Sequence, residues 1–197
     1  SFGSPNPAAP PMNNTFSRPP APPNAPVRSY APGTPERASL QSAVLAMRDE
    51  HLEAGPIVGG EHRTTGRLGE MRPPHEHQRV IGTFHKARPG DVTDAIEAAL
   101  DARHDWMRMA WTARAAIFLK AAELIAGPYR NTINAATMLG QSKNAMQAEI
   151  DSACEFIDFL RFNVHFMTQV YADQPVSGPG LWNRVEYRPL VGFVFAV

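Results

Sequence analysis

The sequence contains a single cysteine, and its charges cancel. Cys154 alone can form neither an internal disulfide framework nor a multi-cysteine zinc site, which favours a reducing compartment, and we predict the cytoplasm. Nineteen lysines and arginines balance 19 aspartates and glutamates, so no basic stripe is present for nucleic acid or an anionic membrane. No run reaches the roughly 20 apolar residues of a membrane span. We therefore expect a globular protein with neither nucleic-acid nor membrane partners.

The first 33 residues are rich in proline and poor in large apolar side chains. Such a segment cannot bury enough surface to offset the entropy of ordering it, which predicts disorder for residues 1–33. A folded domain is expected to follow over residues 34–197. Its start is marked by Thr34, Pro35 and Glu36, which supply a capping hydroxyl, a proline at the first helical position and an acid in the first turn.

The domain is predicted to be α/β and mostly helical. After the helix that begins near residue 35, the sequence pattern predicts short strands at 57–58 and 79–85 and helices over 89–106, 112–127, 129–139 and 144–172. Alternation predicts a strand over 181–188, and the apolar stretch 193–197 is typical of a strand covered on both faces. Since no covering layer is evident for that last strand, we expect the chain to be a fragment.

Three motifs have residue types that could carry chemistry, and each has a simpler interpretation. His75-Glu76-His77 has metal-ligand residue types but no third ligand nearby, so a chance loop composition is favoured. Cys154 is predicted to lie mid-helix toward the polar arc, where acidic neighbours raise a thiol pKa, which disfavours a nucleophile. The stretch "GQSK" lacks the glycine spacing of a phosphate loop and is better interpreted as a helix–helix connection. We predict no metal ligands.

Glu155 is the candidate site residue. At about 100° per residue, Phe159, Phe162 and Phe166 project within about 40° of Glu155 on the last predicted helix. Asp158 then lies on the opposite arc. A carboxylate taken out of water among phenylalanines needs either a cationic partner or a functional role.

The order of these pieces resembles a known family. The stretches "RAAIFLKAAELIAGP", "MLGQSKNAMQAEID", "FIDFLRFN" and "WNRVEYRPL" resemble the N-terminal part of the delta-1-pyrroline-5-carboxylate dehydrogenases, also called L-glutamate gamma-semialdehyde dehydrogenases, in the aldehyde dehydrogenase superfamily. The resemblance covers about residues 27–197. It implies helices of a Rossmann-like NAD domain, a wall of the aldehyde tunnel, and a hairpin around Trp182 to Arg188 that begins the oligomerisation flap.

The resemblance also implies what this stretch does not carry. In that family the oxyanion-holding asparagine, the cofactor-contacting lysine, the glycine-rich turn, the general-base glutamate and the nucleophilic cysteine all come later. We therefore predict no catalytic and no cofactor-binding residue in this chain, and an inactive fragment. The complete enzyme is expected to be a homo-oligomer that uses NAD to oxidise glutamate semialdehyde to glutamate in proline catabolism.

For Glu155 the resemblance implies a substrate-binding role. In the family the matching acid lies beside the substrate, whose ammonium group a carboxylate could receive, while Phe159 shapes the wall. The alternative is a structural ion pair with an arginine of a neighbouring helix. Two other functions remain open for the whole chain: an aldehyde dehydrogenase with a different substrate, or a non-catalytic helical module that binds a partner.

Overall fold

The computed structural model describes residues 19–197, so the predicted disorder of residues 1–18 lies outside the described part of the chain. Six α-helices, one π-helical turn and five short strands follow one another. In chain order they are α1 Pro35–Asp49, β1 Leu52–Ala54, β2 Ile57–Val58, β3 Glu61–His62, β4 Leu68–Met71, β5 Gly82–His85, α2 Pro89–Arg108, α3 Trp111–Ala126, α4 Arg130–Gln141, α5 Ala145–Ala148, the π turn Glu149–Cys154, and α6 Glu155–Ala172. The mostly helical α/β prediction is confirmed.

The strands form two small sheets. In the larger one β5 lies in the centre, parallel to β1 and antiparallel to β4. Gly82 pairs with Leu52, and a Cβ at Gly82 would lie 2.3 Å from the Leu52 carbonyl oxygen, so only glycine allows the parallel strands to approach this closely. The second sheet is the β2–β3 hairpin. β1 and β4 were not predicted, because each has only three or four residues and no clean alternation.

The start of α1 follows the predicted capping signal, and α5 has a cap that was not predicted. The Thr34 hydroxyl accepts a hydrogen bond from the Arg37 backbone N–H at 3.4 Å, and Pro35 is the first residue of α1. Asn144 caps α5 reciprocally with Gln147: each side chain accepts from the other residue's backbone N–H. Among the described helices, none combines the length and the apolarity that crossing a bilayer requires.

The helical core consists of α3 packed on α6 and α1 packed on α4. The sequence pattern predicts that α3 turns Ile117, Leu119, Ala121, Leu124 and Ile125 mostly toward the core. Ile125 is buried as predicted, but Ile117, Leu119 and Leu124 are exposed, and Ala115 and Ala122 are buried in their place. Because α3 is apolar around most of its circumference, periodicity could not identify its inner face, and the small alanines allow α6 to approach closely.

The prediction of disorder is wrong for the described part of the proline-rich segment. Residues 24–30, which we call the arm, lie in extended form across the helices, and Ala25 and Tyr30 are buried in two separate clusters. Ala25 packs with Ala122 and Ile157, whereas Tyr30 packs with Leu40. The disorder argument counted only the arm's own apolar surface, but the arm is ordered by hydrogen bonds to side chains more than 100 residues later.

The two strands predicted near the C-terminus are not formed. Residues 181–188 and 193–197 have no ladder partner within residues 19–197, and the one pairing nearby is an isolated bridge between Gly178 and Leu181. A strand is defined by hydrogen bonds to a neighbouring strand, which the pattern of a single segment cannot supply. Phe193, Val194 and Phe195 are exposed.

Candidate functional site

The candidate site residue Glu155 lies on the long helix formed by α5, the π turn and α6. The predicted helix over 144–172 is confirmed, with Asn144 as its N-cap and Ala172 as its last residue. The π turn was not predicted. It ends where the backbone N–H of Glu155 donates to the carbonyl of Ile150, five residues earlier, instead of four as in an α-helix.

Glu155 and its aromatic neighbours share an exposed face of α6. Phe159 is 59% exposed and Phe166 is 49% exposed, while Ile157 and Val164 lie buried on the opposite side. This arrangement agrees with the predicted aromatic arc. The premise that Glu155 is out of water is wrong for this chain, because its side chain is exposed. Within residues 19–197 it has no hydrogen-bond or ion-pair partner, so the alternative of a structural pair with arginine finds no support there.

Asp158 of the long helix holds the arm. The prediction that it lies on the arc opposite Glu155 is wrong, because a residue three positions later in an α-helix is only about 60° around the axis. Its Oδ1 accepts a hydrogen bond from the backbone N–H of Ala25 at 2.6 Å, and its Oδ2 accepts one from Nδ2 of Asn24 at 2.7 Å. Asp158 follows Glu155 by three residues but is used for scaffolding. The two carboxylates therefore differ: Asp158 is bound to the arm, and Glu155 has no partner within residues 19–197.

The arm is also held by a second carboxylate, that of Glu149 in the π turn, which is fully buried beneath it. Its Oε1 accepts from the backbone N–H of Arg28 at 2.8 Å, and its Oε2 accepts from the Tyr30 hydroxyl at 2.7 Å and from Nδ2 of Asn134 at 2.8 Å. It also forms an ion pair with Arg130, whose guanidinium in turn donates to the Pro26 carbonyl at 2.8 Å. We call Glu149, Arg130, Tyr30 and Asn134 the buried cluster.

The electrostatics of the buried cluster favour a charged carboxylate and a neutral phenol. Burial alone would raise the pKa of Glu149, but hydrogen bonds from Arg130, Arg28, Tyr30 and Asn134 outweigh burial and lower the pKa from 4.5 to about 2. Burial and the bond to Glu149 raise the pKa of Tyr30 from 10.0 to about 12. The cluster thus keeps one fixed charge pair across neutral pH, and a proton donor or acceptor working near pH 7 is not found in it.

Cys154 lies in the core and not on the polar arc as predicted. Its Sγ accepts a hydrogen bond from Nη2 of Arg130 at 3.2 Å, and Ala25 and Ile157 pack in the same cluster. Burial, followed by the nearby charge of Glu149, raises the pKa of the thiol. The polar-arc prediction grouped Cys154 with its acidic neighbours, although Ile157, three residues later, shares its helical face and is buried. A buried thiol with a raised pKa is unsuited to nucleophilic attack.

The other two motifs have structural partners. His75 Nδ1 is hydrogen bonded to Ser142 Oγ at 2.8 Å, and Glu76 pairs with Arg48 and Arg79. The "GQSK" stretch connects α4 to α5, as interpreted: Ser142 ends α4 in a left-handed conformation, with φ at 57°, and the Lys143 ammonium pairs with Asp151 at 2.8 Å. No group of three metal-ligating side chains comes together within residues 19–197.

The strand-to-helix junction between β5 and α2 does not fit a dinucleotide phosphate. Helix N-termini attract phosphate because their first N–H groups are unpaired. At α2, however, Asp91 Oδ2 accepts from the backbone N–H of Arg88 at 2.7 Å, so a carboxylate already occupies this end. Its neighbour Arg88 pairs with the same carboxylate. The described residues therefore offer no built pyrophosphate cradle at this junction.

The sequence interpretation missed the buried cluster. Glu149 is 19 residues from Arg130 and 119 residues from Tyr30, so no local spacing connects them. One signal was present. Glu149 follows Ala148 directly and precedes Ala153 by one helical turn, and these small residues leave room beside it for a side chain of another element. That pattern could have marked Glu149 as a charge facing another element.

Comparison with known proteins identifies the class. The model of the aldehyde dehydrogenase family matches residues 62–197, and the chain belongs to that family. The chain is 50% identical over 185 residues to the delta-1-pyrroline-5-carboxylate dehydrogenase of Agaricus bisporus, covering 93% of this chain and 34% of that protein. A probable delta-1-pyrroline-5-carboxylate dehydrogenase of Schizosaccharomyces pombe is 46% identical, over 90% of this chain and 33% of that protein.

A solved structure gives the same result. The delta-pyrroline-5-carboxylate dehydrogenase of Mycobacterium tuberculosis superimposes with a TM-score of 0.89 at 46% identity, covering 92% of this chain and 34% of that one. The same enzyme has been solved with bound NAD, at 47% identity to this chain. The chain thus spans about a third of the length of the relatives that it matches.

Proposed function

We propose that this chain is part of an NAD-dependent dehydrogenase that oxidises L-glutamate gamma-semialdehyde, formed from 1-pyrroline-5-carboxylate, to L-glutamate in proline catabolism. The observation that carries the proposal is the 50% identity to a delta-1-pyrroline-5-carboxylate dehydrogenase over 93% of the chain. This relationship is more specific than membership of the aldehyde dehydrogenase family, whose members share a fold but not a substrate.

Glu155 is the proposed contact for the ammonium group of the substrate. Its carboxylate is exposed on α6, has no partner within the described residues, and stands on the same face as Phe159. A charge-assisted hydrogen bond from an ammonium group would satisfy the carboxylate, and the phenyl ring would cover the aliphatic part of the substrate. In this role Glu155 binds the substrate and takes no part in bond making.

NAD is the proposed cofactor, and it would accept hydride from the aldehyde carbon. The start of α2 is occupied by the Asp91 carboxylate and offers no cradle for its pyrophosphate, and Cys154, the only cysteine of the sequence, is buried with a raised pKa. We therefore assign hydride transfer and nucleophilic attack to polypeptide beyond this stretch. The proposed contribution of this chain is scaffold and substrate contact.

The proposed assembly is a homo-oligomer, and the proposed compartment is the cytoplasm. Exposed Trp182, Val185 and Tyr187 in the region after α6 offer apolar surface for contact between copies. For the compartment, the matching enzymes of Emericella nidulans and Homo sapiens are named mitochondrial. Imaging of a C-terminally tagged protein in its own cells distinguishes the two compartments, and light scattering gives the number of copies.

The function is tested with the protein as it is encoded. NADH formation is followed with glutamate semialdehyde and, as the matched control, with an uncharged aldehyde of the same chain length. The proposal predicts a kcat/KM at least tenfold higher for glutamate semialdehyde. Equal or better use of the uncharged aldehyde would indicate a different aldehyde dehydrogenase, and no turnover with any aldehyde would indicate a non-catalytic module.

A further inference from the structure

The buried stripe of the long helix changes phase at the π turn. The buried residues of α6 include Ile157 and Val164. Toward the N-terminus the same buried stripe includes Cys154 and Ala153, which precede Ile157 by three and four residues and so lie on its face of the helix. Continued backward in an uninterrupted α-helix at 3.6 residues per turn, the same stripe would pass through positions 150 and 146. Ile150 and Met146, which occupy those positions, are apolar. The sequence therefore contains a complete α-helical core stripe.

The structure places other residues in the core. Ile150 is 46% exposed and Met146 is 45% exposed, whereas Ala148 and Glu149 are fully buried. The π turn accounts for this exchange. Its hydrogen bonds span five residues, so it takes up about one residue more per turn and rotates the preceding helix by about 100°. A charged residue has thus replaced an apolar one in the core through one extra residue in one turn.

Contacts to α4 and to the arm hold this rotated phase. Glu149 is paired with Arg130 at the start of α4, and Thr137 of α4 donates to Ser152 Oγ in the π turn at 2.8 Å. The arm adds the hydrogen bonds from Arg28 and Tyr30 to Glu149. The α-helical phase would be favoured by a different contribution, the burial of the apolar side chains of Ile150 and Met146. The two phases are therefore favoured by different contacts of the same helix.

We propose that the π turn Glu149–Cys154 is a register switch coupled to the arm. In the π register Glu149 points inward and clamps residues 24–30. In the α register Ile150 and Met146 take the core positions, Glu149 turns outward, and the arm loses its bonds from Arg28 and Tyr30. Because the arm binds only the π register at Glu149, docking of the arm stabilises the π register, and the π register favours docking by the same factor.

The test reads the solvent access of position 150 directly. Ile150→Cys is introduced into the protein as it is encoded, and alkylation at that position is followed by peptide-resolved mass spectrometry under native conditions. We expect rapid reaction, since the side chain is exposed in the π register. Adding Glu149→Lys puts a like charge against Arg130 and favours the α register, so alkylation at position 150 is expected to slow at least tenfold. Glu123→Lys, the same charge change on the exposed side of α3, is the matched control and is expected to leave the rate unchanged.

A second variant tests the register switch if Glu149→Lys fails to fold. Deleting Ile150 removes the extra residue, so one continuous α-helix can keep both Glu149 and Ile157 inward. The switch predicts a folded protein with the arm docked, reported by Cys154 remaining at least tenfold less reactive than in the denatured chain. Fast alkylation at position 150 in a folded Glu149→Lys variant would overturn the proposal. So would a deletion variant that exposes Cys154.

Discussion

The carboxylate of Asp158 on α6 accepts a hydrogen bond from the backbone N–H of Ala25 at 2.6 Å, across 133 residues of sequence. The bond satisfies a backbone donor of an extended segment that has no strand or helix of its own. Together with Glu149, it makes the long helix the element on which the arm is fixed. The same helix presents Glu155, three residues before Asp158, to solvent.

Removing the Asp158 carboxylate should destabilise the fold. Asp158→Ala leaves the backbone N–H of Ala25 without its partner, and a loss of about 1–3 kcal/mol in the free energy of unfolding is expected. Asp151→Ala is the matched control, because its pair with Lys143 is partly exposed and a surface pair contributes about 0–1 kcal/mol. Urea denaturation measures both. Equal losses for the two variants would contradict the assigned role of Asp158.

The pair of Glu149 and Arg130 should show strong energetic coupling. Arg130→Met leaves a buried carboxylate uncompensated and is expected to cost about 3–5 kcal/mol. Adding Glu149→Met replaces both charges with apolar groups and should recover a large part of that loss, because the desolvation cost disappears with the charge. A double-mutant cycle by urea denaturation gives the coupling. Additive losses would show that the two side chains act independently.

Acid should destabilise the protein through Glu149. The folded-state pKa of this carboxyl is depressed to about 2 from 4.5, so its contribution is fully present above about pH 4.5 and is lost as the pH falls through about 2. Glu149→Gln has no proton to take up and should show a flatter decline of unfolding free energy over that range. Glu123→Gln, a change on the exposed side of α3, should retain the wild-type decline. Identical acid profiles for all three proteins would contradict the assignment.

Glu155→Gln separates substrate binding from a structural role. The change keeps the shape and removes the charge, so kcat/KM for glutamate semialdehyde should fall about tenfold or more, with little change for an uncharged aldehyde. The melting temperature should be unaffected, since Glu155 is exposed and without a partner in the described residues. Similar losses for both aldehydes with a lowered melting temperature would assign Glu155 to the scaffold.

Local signals in the sequence predicted the helices well, because capping and apolar period act within a few residues. Thr34 caps α1 as predicted, and the long helix begins at the predicted position, with Asn144 as its N-cap. The exposed face shared by Glu155 and Phe159 follows from the helical period after the π turn, so it was also predictable.

The remaining features depend on contacts between distant residues. The arm was missed because Ala25 and Tyr30 are ordered by partners more than 100 residues away. The π turn was missed because a constant 100° step was assumed, and nothing in the local pattern disfavours Ile150 as a core residue. The strand at 193–197 was predicted from its apolar residues alone, although a strand also requires a neighbour.

The position of the arm has a consequence for biosynthesis. A ribosome adds about 5–20 residues per second, so about 7–27 s pass between the synthesis of Ala25 and that of Asp158, 133 residues later. During this interval α1 can form, but the arm lacks the Asp158 anchor throughout and the Glu149 anchor until nine residues before the end. The nascent chain therefore carries an unanchored arm until the long helix is made, and chaperones have that time to engage it.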